Sequence, residues 1–83
     1  MPTDDTIQRI NSILIEGFEI EASLLKPEAS LGEDLGLDSL DAVDLVVAIE
    51  KEFACRISEP EARSMRKLQD IYGGVQKCVD AKV

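Results

Sequence analysis

Histidine is absent from this 83-residue chain, which removes the commonest general base and any Ser-His pair that autonomous hydrolysis would need. Cysteine is scarce. Cys55 and Cys78 are the only two; they are too few for a disulfide scaffold and lie outside any CxxC or Cys/His cluster, so no metal site is suggested. As isolated cysteines in a reducing compartment they read as packing or surface residues. No stretch reaches the roughly eighteen apolar residues of a membrane span. The start Met1-Pro2-Thr3-Asp4-Asp5 is acidic and without an apolar core, unlike a signal peptide. A soluble, cytoplasmic protein with no membrane partner is expected. No Walker loop and no Asp-x-Asp-x-Asp-Gly calcium pattern occur, and no period-2 alternation runs for the length of a strand.

Basic charge is also short. Nine Lys and Arg stand against seventeen Asp and Glu, a net charge of -8, which argues against nucleic acid and favours basic protein surfaces as partners. The imbalance is concentrated between Lys26 and Lys51, where no basic residue occurs and Glu28, Glu33, Asp34, Asp38, Asp41, Asp44 and Glu50 are all acidic.

What is present is helical periodicity. A chain of this length makes one domain, spanning residues 1–83, with a thin core. Thr3 or Asp4 caps a first helix of roughly Asp4 to Glu16, with Ile7, Ile10, Leu14 and Phe18 at helical spacing, Ile13 beside them and Gly17 near its end. From Phe18 to Asp38 the pattern breaks at Pro27, Ser30, Gly32 and Gly36, with Leu24, Leu25, Leu31 and Leu35 as plugs into the core. A second helix starts at Ser39 or Leu40 and runs to Phe53. A short helical segment surrounds Glu59 to Arg63, with Pro60 in its first turn. The last helix follows from Leu68, Ile71, Tyr72, Val75 and Val79 to about Lys82, with Gly73-Gly74 in its middle marking a kink or a close helix contact. The expected fold is all-α, a small four-helix bundle of three main helices and one short one.

The chain is organised around Asp34-Leu35-Gly36-Leu37-Asp38-Ser39-Leu40 and the helix after it. At about 100° per residue, Ala42, Leu45, Val46, Ile49 and Phe53 form one stripe wide enough for a core face. Leu40, Val43 and Val47 form another, edged by Asp41 and Asp44. Either the preceding loop covers this second stripe or it is an exposed apolar strip for docking. Asp38, Asp41 and Asp44 are spaced three apart and drift round the helix instead of converging for acid-base work. Ser39 stands at the helix mouth, where free backbone N–H groups and the helix dipole favour an anion such as a phosphate ester. Its blander reading is that of a simple N-cap, and kinase phosphorylation is a further one.

The run Asp34 to Asp41, followed by Val43, Asp44, Leu45, Val46 and the Ile49-Glu50-Lys51-Glu52-Phe53 ending, resembles the acyl carrier proteins, and length, acidity and helix order extend the likeness over nearly the whole chain. The resemblance implies 4′-phosphopantetheine esterified to Ser39 by a separate, magnesium-using phosphopantetheinyl transferase, with acyl groups held on its thiol as thioesters. It implies a monomeric carrier without catalysis of its own, served by acyl-loading and acyl-processing enzymes. Asp38 matches the acidic residue that lies near the transferase's metal site. Leu40, Asp41, Val43, Asp44, Val47 and Glu50 match the surface such carriers present to basic patches, and the core stripe would line a shelter for the acyl chain. Departures from the family pattern are Arg66-Lys67 in place of a Thr or Ser cap, the Gly73-Gly74 pair, Ser58 for a frequent proline and a long first loop. They leave the attachment chemistry alone and the pathway open between fatty-acid synthesis and a specialised lipid or polyketide route. Peptidyl and D-alanyl carriers, an unmodified acidic adaptor and a metal-dependent module around Asp38 are the alternatives.

Overall fold

Ile10, Leu14, Leu45, Ile49, Leu68 and Val75 come from three different helical stripes, and their side chains are removed almost completely from water. Each such burial contributes about 2 kcal/mol, and it is this shared apolar face that aligns the helices. The computed structural model describes residues 2–81. Its helices are α1 (Asp4–Phe18), α2 (Ser39–Phe53), α3 (Glu59–Ser64) and α4 (Leu68–Ala81), with a 3-10 turn at Ala22–Leu24 and, among the described residues, no strand. Helices α1, α2 and α4 pack on one another, while residues of α3 and of α2 from Ser39 to Val47 face a common cavity. The expected Lys82 end of α4 lies outside the described residues.

Thr3 caps α1, its hydroxyl oxygen accepting the Thr6 N–H at 3.2 Å, and Asp4 and Asp5 complement the helix dipole in the first turn. The helix runs two residues past the expected Glu16. Gly17 lies inside it, and the chain turns at Glu19, whose φ of 55° places it in the left-handed region. Polar ties add to this apolar packing of α1 on the other helices. Gln76, 7 % exposed, accepts from the Thr6 hydroxyl at 2.7 Å and from the Thr3 N–H at 3.0 Å while donating to Asp80 at 2.8 Å. Arg9 lies over the Phe53 ring at 4.5 Å and donates to the Glu52 carboxylate at 2.7 Å, joining α1 to the end of α2.

The long loop is pinned from both sides. Its backbone pairs with the α3–α4 connector and the start of α4 through Leu31 N–H to Arg66 O at 2.9 Å, Leu68 N–H to Ala29 O at 3.0 Å and Gln69 N–H to Pro27 O at 2.8 Å. Leu35 is buried as expected, and Leu25 and Leu31 are half-buried. Leu24 is exposed instead of plugging the core; Ile20 and Ala29 are buried in its stead, where the backbone is anchored. The missing hydroxyl cap before α4 is replaced from inside the helix, where the Asp70 carboxylate accepts the Arg66 N–H at 3.0 Å and the Lys67 N–H at 3.1 Å.

One expectation is corrected by the fold. Cys55 and Cys78 are not isolated packing or surface residues: they form a disulfide that ties the segment after α2 to α4, their Cα atoms 6.2 Å apart and Cys55 only 5 % exposed. They lie 23 residues apart in sequence, and no local motif marks them; only helix packing brings them within bridging distance.

Tyr72 provides a titration handle. It is the one tyrosine in a chain with no tryptophan, its hydroxyl donates to Asn11 Oδ1 at 2.5 Å, and desolvation by burial pushes its phenol upward from the ordinary value. The folded chain therefore keeps a proton that the unfolded chain has already lost, so stability falls as pH rises from the ordinary phenol value, about 10, through the folded one. We expect tyrosinate absorbance to appear at higher pH in folded protein than in urea-unfolded protein, and Tyr72→Phe to remove this part of the alkaline loss. Coincident titrations would contradict the assignment.

Candidate functional site

The loop before α2 is built to deliver one residue to the surface. The Ser30 carbonyl accepts from Asp34 and Leu35, the Asp34 carboxylate accepts the Ser30 N–H at 2.7 Å, and Gly36 turns the chain at φ 70°, a conformation that favours glycine. Leu37 N–H then bonds Leu31 O at 2.9 Å. Asp38 follows as the N-cap of α2 and Ser39 as its first residue.

The N-cap reading of Ser39 is thereby displaced. Asp38 Oδ1 accepts the Asp41 N–H at 2.8 Å, and the Asp41 carboxylate accepts the Asp38 N–H at 3.4 Å, a reciprocal capping box made without the serine. Ser39 is exposed, and among the described residues no group hydrogen-bonds its hydroxyl. The chain has no histidine to take its proton. The oxygen is accessible and its activation must come from outside.

Two cavities open beside Ser39. One, of about 600 Å³, lies between α2 and α3 and is walled by Ala42, Val46, Ile57, Ala62 and Met65. Its size and apolar lining suit a small apolar group. The other, of about 460 Å³, lies toward the long loop and carries Leu31, Leu37, Asp38, Arg66 and Lys67. Met65 belongs to both. The expected shelter differs in its lining: Leu45, Ile49 and Phe53 are committed to the core, and the cavity takes Ala42 and Val46 from the edge of that stripe together with Val43 and Val47 from the other. Ile57, Ala62 and Met65 line the cavity although their spacing in the sequence does not single them out. They carry no local signal because the cavity exists only once α3 and its flanking segments face α2.

The second stripe of α2 is open to solvent. Leu40 is 74 % exposed, Val43 60 % and Val47 42 %, so the loop does not cover it. Asp44 is exposed beside it, and Asp41 is half-buried and engaged in the capping box. Glu50 is half-buried and partly occupied elsewhere, one carboxylate oxygen accepting the Ile57 N–H at 2.8 Å. Among the described residues no three histidine, cysteine or carboxylate side chains converge as a metal ion requires, and no helix is long and apolar enough to cross a membrane.

Comparison with known proteins bears directly on this site. Residues 8–73 match the protein family described as phosphopantetheine attachment site. The chain is 40 % identical over 81 residues to acyl carrier protein 2 of Ralstonia nicotianae, covering 98 % of this chain and all of that one. It is 41 % identical over 63 residues to an acyl carrier protein of Nitratidesulfovibrio vulgaris, covering 76 % and 83 %. The crystal structure of an acyl carrier protein from Thermotoga maritima superposes with a TM-score of 0.85 at 32 % identity, over 95 % of this chain and 92 % of that one.

Proposed function

This chain belongs to the acyl carrier proteins, whose phosphopantetheine-attachment domain bears covalent 4′-phosphopantetheine, and on that premise we propose that Ser39 is the attachment residue. The observation that carries the reading is the unengaged, exposed Ser39 hydroxyl at the first turn of α2, left free because Asp38 and Asp41 complete the cap between themselves. The residues fit the group. A phosphodiester on Ser39 Oγ sits at the positive end of α2, and the arm has two cavities beside it. When bound, the arm supplies the thiol on which acyl groups are carried as thioesters.

The Ser39 hydroxyl forms the new oxygen–phosphorus bond as the pyrophosphate bond of coenzyme A breaks. Adenosine 3′,5′-bisphosphate leaves, and the hydroxyl proton passes to a base that the transferase supplies, since this chain offers none beside Ser39. Asp38 caps α2 and so fixes the helix start that presents Ser39. The chain itself contributes presentation, shelter and docking, with no catalysis of its own. Its cargo is an acyl intermediate passed between enzymes of fatty-acid synthesis or of a specialised lipid or polyketide route. Intact mass measured after incubation with coenzyme A, magnesium and a broad-specificity transferase tests the reading. A gain of one phosphopantetheine that peptide mapping locates on Ser39 supports it; a gain elsewhere, or none on protein shown to start unmodified, sinks it.

Leu40, Val43 and Val47, with Asp41, Asp44 and Glu50 around them, form the docking surface of this reading. Exposed apolar groups inside an acidic border suit a brief, oriented encounter with a basic enzyme surface. Asp44, free of the capping box, is the charge most available for steering. Asp44→Lys is expected to lower the association rate with a basic partner such as the transferase about tenfold at low salt and to flatten its salt dependence, with little change in dissociation. Stopped-flow association across a salt series checks this, and an unchanged rate would remove Asp44 from the surface.

A further inference from the structure

Gly74 lies in the interior of α4, where glycine is unfavourable. Its backbone does not call for glycine, since Gly36 is the only glycine with positive φ among the described residues. A side chain there would displace a neighbour: a Cβ built at Gly74 would lie 2.6 Å from the terminal methyl of Met65 and 3.7 Å from Glu61 Oε1. Its neighbour Gly73 has nothing within 4 Å of the corresponding position. The two glycines are adjacent in sequence and opposite in consequence.

Met65 lines both cavities that open at Ser39, as do Ser39 itself and Ala42; of the three it has the longest and most flexible side chain. Its methyl end rests in the notch left by Gly74, which holds the thioether back against α4. With the notch filled, the helix backbone is fixed by its hydrogen bonds and the flexible methionine end must move. The free space next to it is the pair of cavities.

We infer that Gly74 and Met65 act as a volume-setting pair: the bare backbone of α4 seats the Met65 methyl and so determines how long an acyl chain, tethered at Ser39, is sheltered between α2 and α3. The inference rests on the reading of Ser39 as the attachment residue and adds to it a determinant of cargo length. Gly74→Ala drives Met65 into the cavity and shortens the sheltered chain by about two methylenes, the volume of the displaced methionine end. Met65→Ala joins the two cavities and lengthens it. Gly73→Ala leaves it unchanged.

The test uses the full chain and these three variants, each loaded by a broad-specificity transferase from coenzyme A esters carrying saturated acyl groups of increasing length. Intact mass confirms loading, and two readouts follow: the rise in Tm over the form carrying the unacylated arm, and the rate at which hydroxylamine cleaves the thioester. We expect the length giving the greatest Tm gain and slowest cleavage to shift shorter in Gly74→Ala, longer in Met65→Ala and not at all in Gly73→Ala. Loaded proteins with one common length profile, or a Gly73→Ala profile that shifts like that of Gly74→Ala, overturn the inference while leaving the attachment reading intact. Failure of every protein to gain mass overturns the attachment reading and this inference with it.

Discussion

Replacing Ser39 by alanine is expected to abolish arm attachment outright while changing the free energy of unfolding by less than about 0.5 kcal/mol, the usual range for a surface substitution that removes no contact. The separation of the two effects follows from how α2 begins. A serine at a helix mouth ordinarily satisfies a free N–H, and its loss costs about 1 kcal/mol. Here Asp38 and Asp41 satisfy that end of the helix reciprocally, so the Ser39 hydroxyl is surplus to stability. Asp38→Ala should show the opposite balance, with a loss of about 1 kcal/mol from the cap and an intact nucleophile. Urea unfolding, intact mass after transferase treatment, and titration with a basic partner separate the three. An unmodified adaptor would keep its full activity in Ser39→Ala, and a Ser39→Ala protein that still gained the arm would move the site elsewhere.

Opening the Cys55–Cys78 disulfide is expected to lower stability by about 3 kcal/mol, from the chain entropy returned to the unfolded state when a loop of this length is no longer closed. The cross-link separates residues 23 apart and encloses α3, Met65 and the Gly74 notch. For a chain of this size that loss is a large share of the total, and each kcal/mol corresponds to about 4–8 °C in Tm. Reduced protein, and Cys78→Ser, should therefore melt roughly 15 °C below the oxidised form while keeping their helical circular dichroism at room temperature. Because Ile57, two residues beyond Cys55, walls the larger cavity, the loss should fall first on the segment joining α2 to α3. A Cys78→Ser protein melting within a few degrees of the parent, or two thiols titrating in denatured protein that was never reduced, would contradict this.

The helices were legible because their apolar residues repeat with the helical period. Ile10 and Leu14 in α1, Leu45, Ile49 and Phe53 in α2, and Leu68, Ile71, Tyr72 and Val75 in α4 are buried as their spacing requires. Boundaries were less legible where they depend on conformations that the residue type does not announce. Glu19 and Ala54 take left-handed conformations that composition assigns to glycine, and Asp70 caps α4 from within the helix instead of ahead of it. The long loop shows the same division. Leu35 plugged the core as its type suggested, whereas Leu24 is exposed and Ile20, tied to the end of α1, and Ala29, paired with the start of α4, are buried instead.

The amino-acid sequence by itself determined the all-α class, the serine among carboxylates at the start of α2, and the two stripes of that helix, since each is a local property of residue type and spacing. Only the tertiary structure decided that Asp38 and not Ser39 caps α2, that the Leu40, Val43 and Val47 stripe stays exposed, that Cys55 meets Cys78, and that Gly74 seats Met65 beside the cavity. Those outcomes depend on how one element lies against another, and packing between helices is set by the fit of whole faces, which no local spacing encodes.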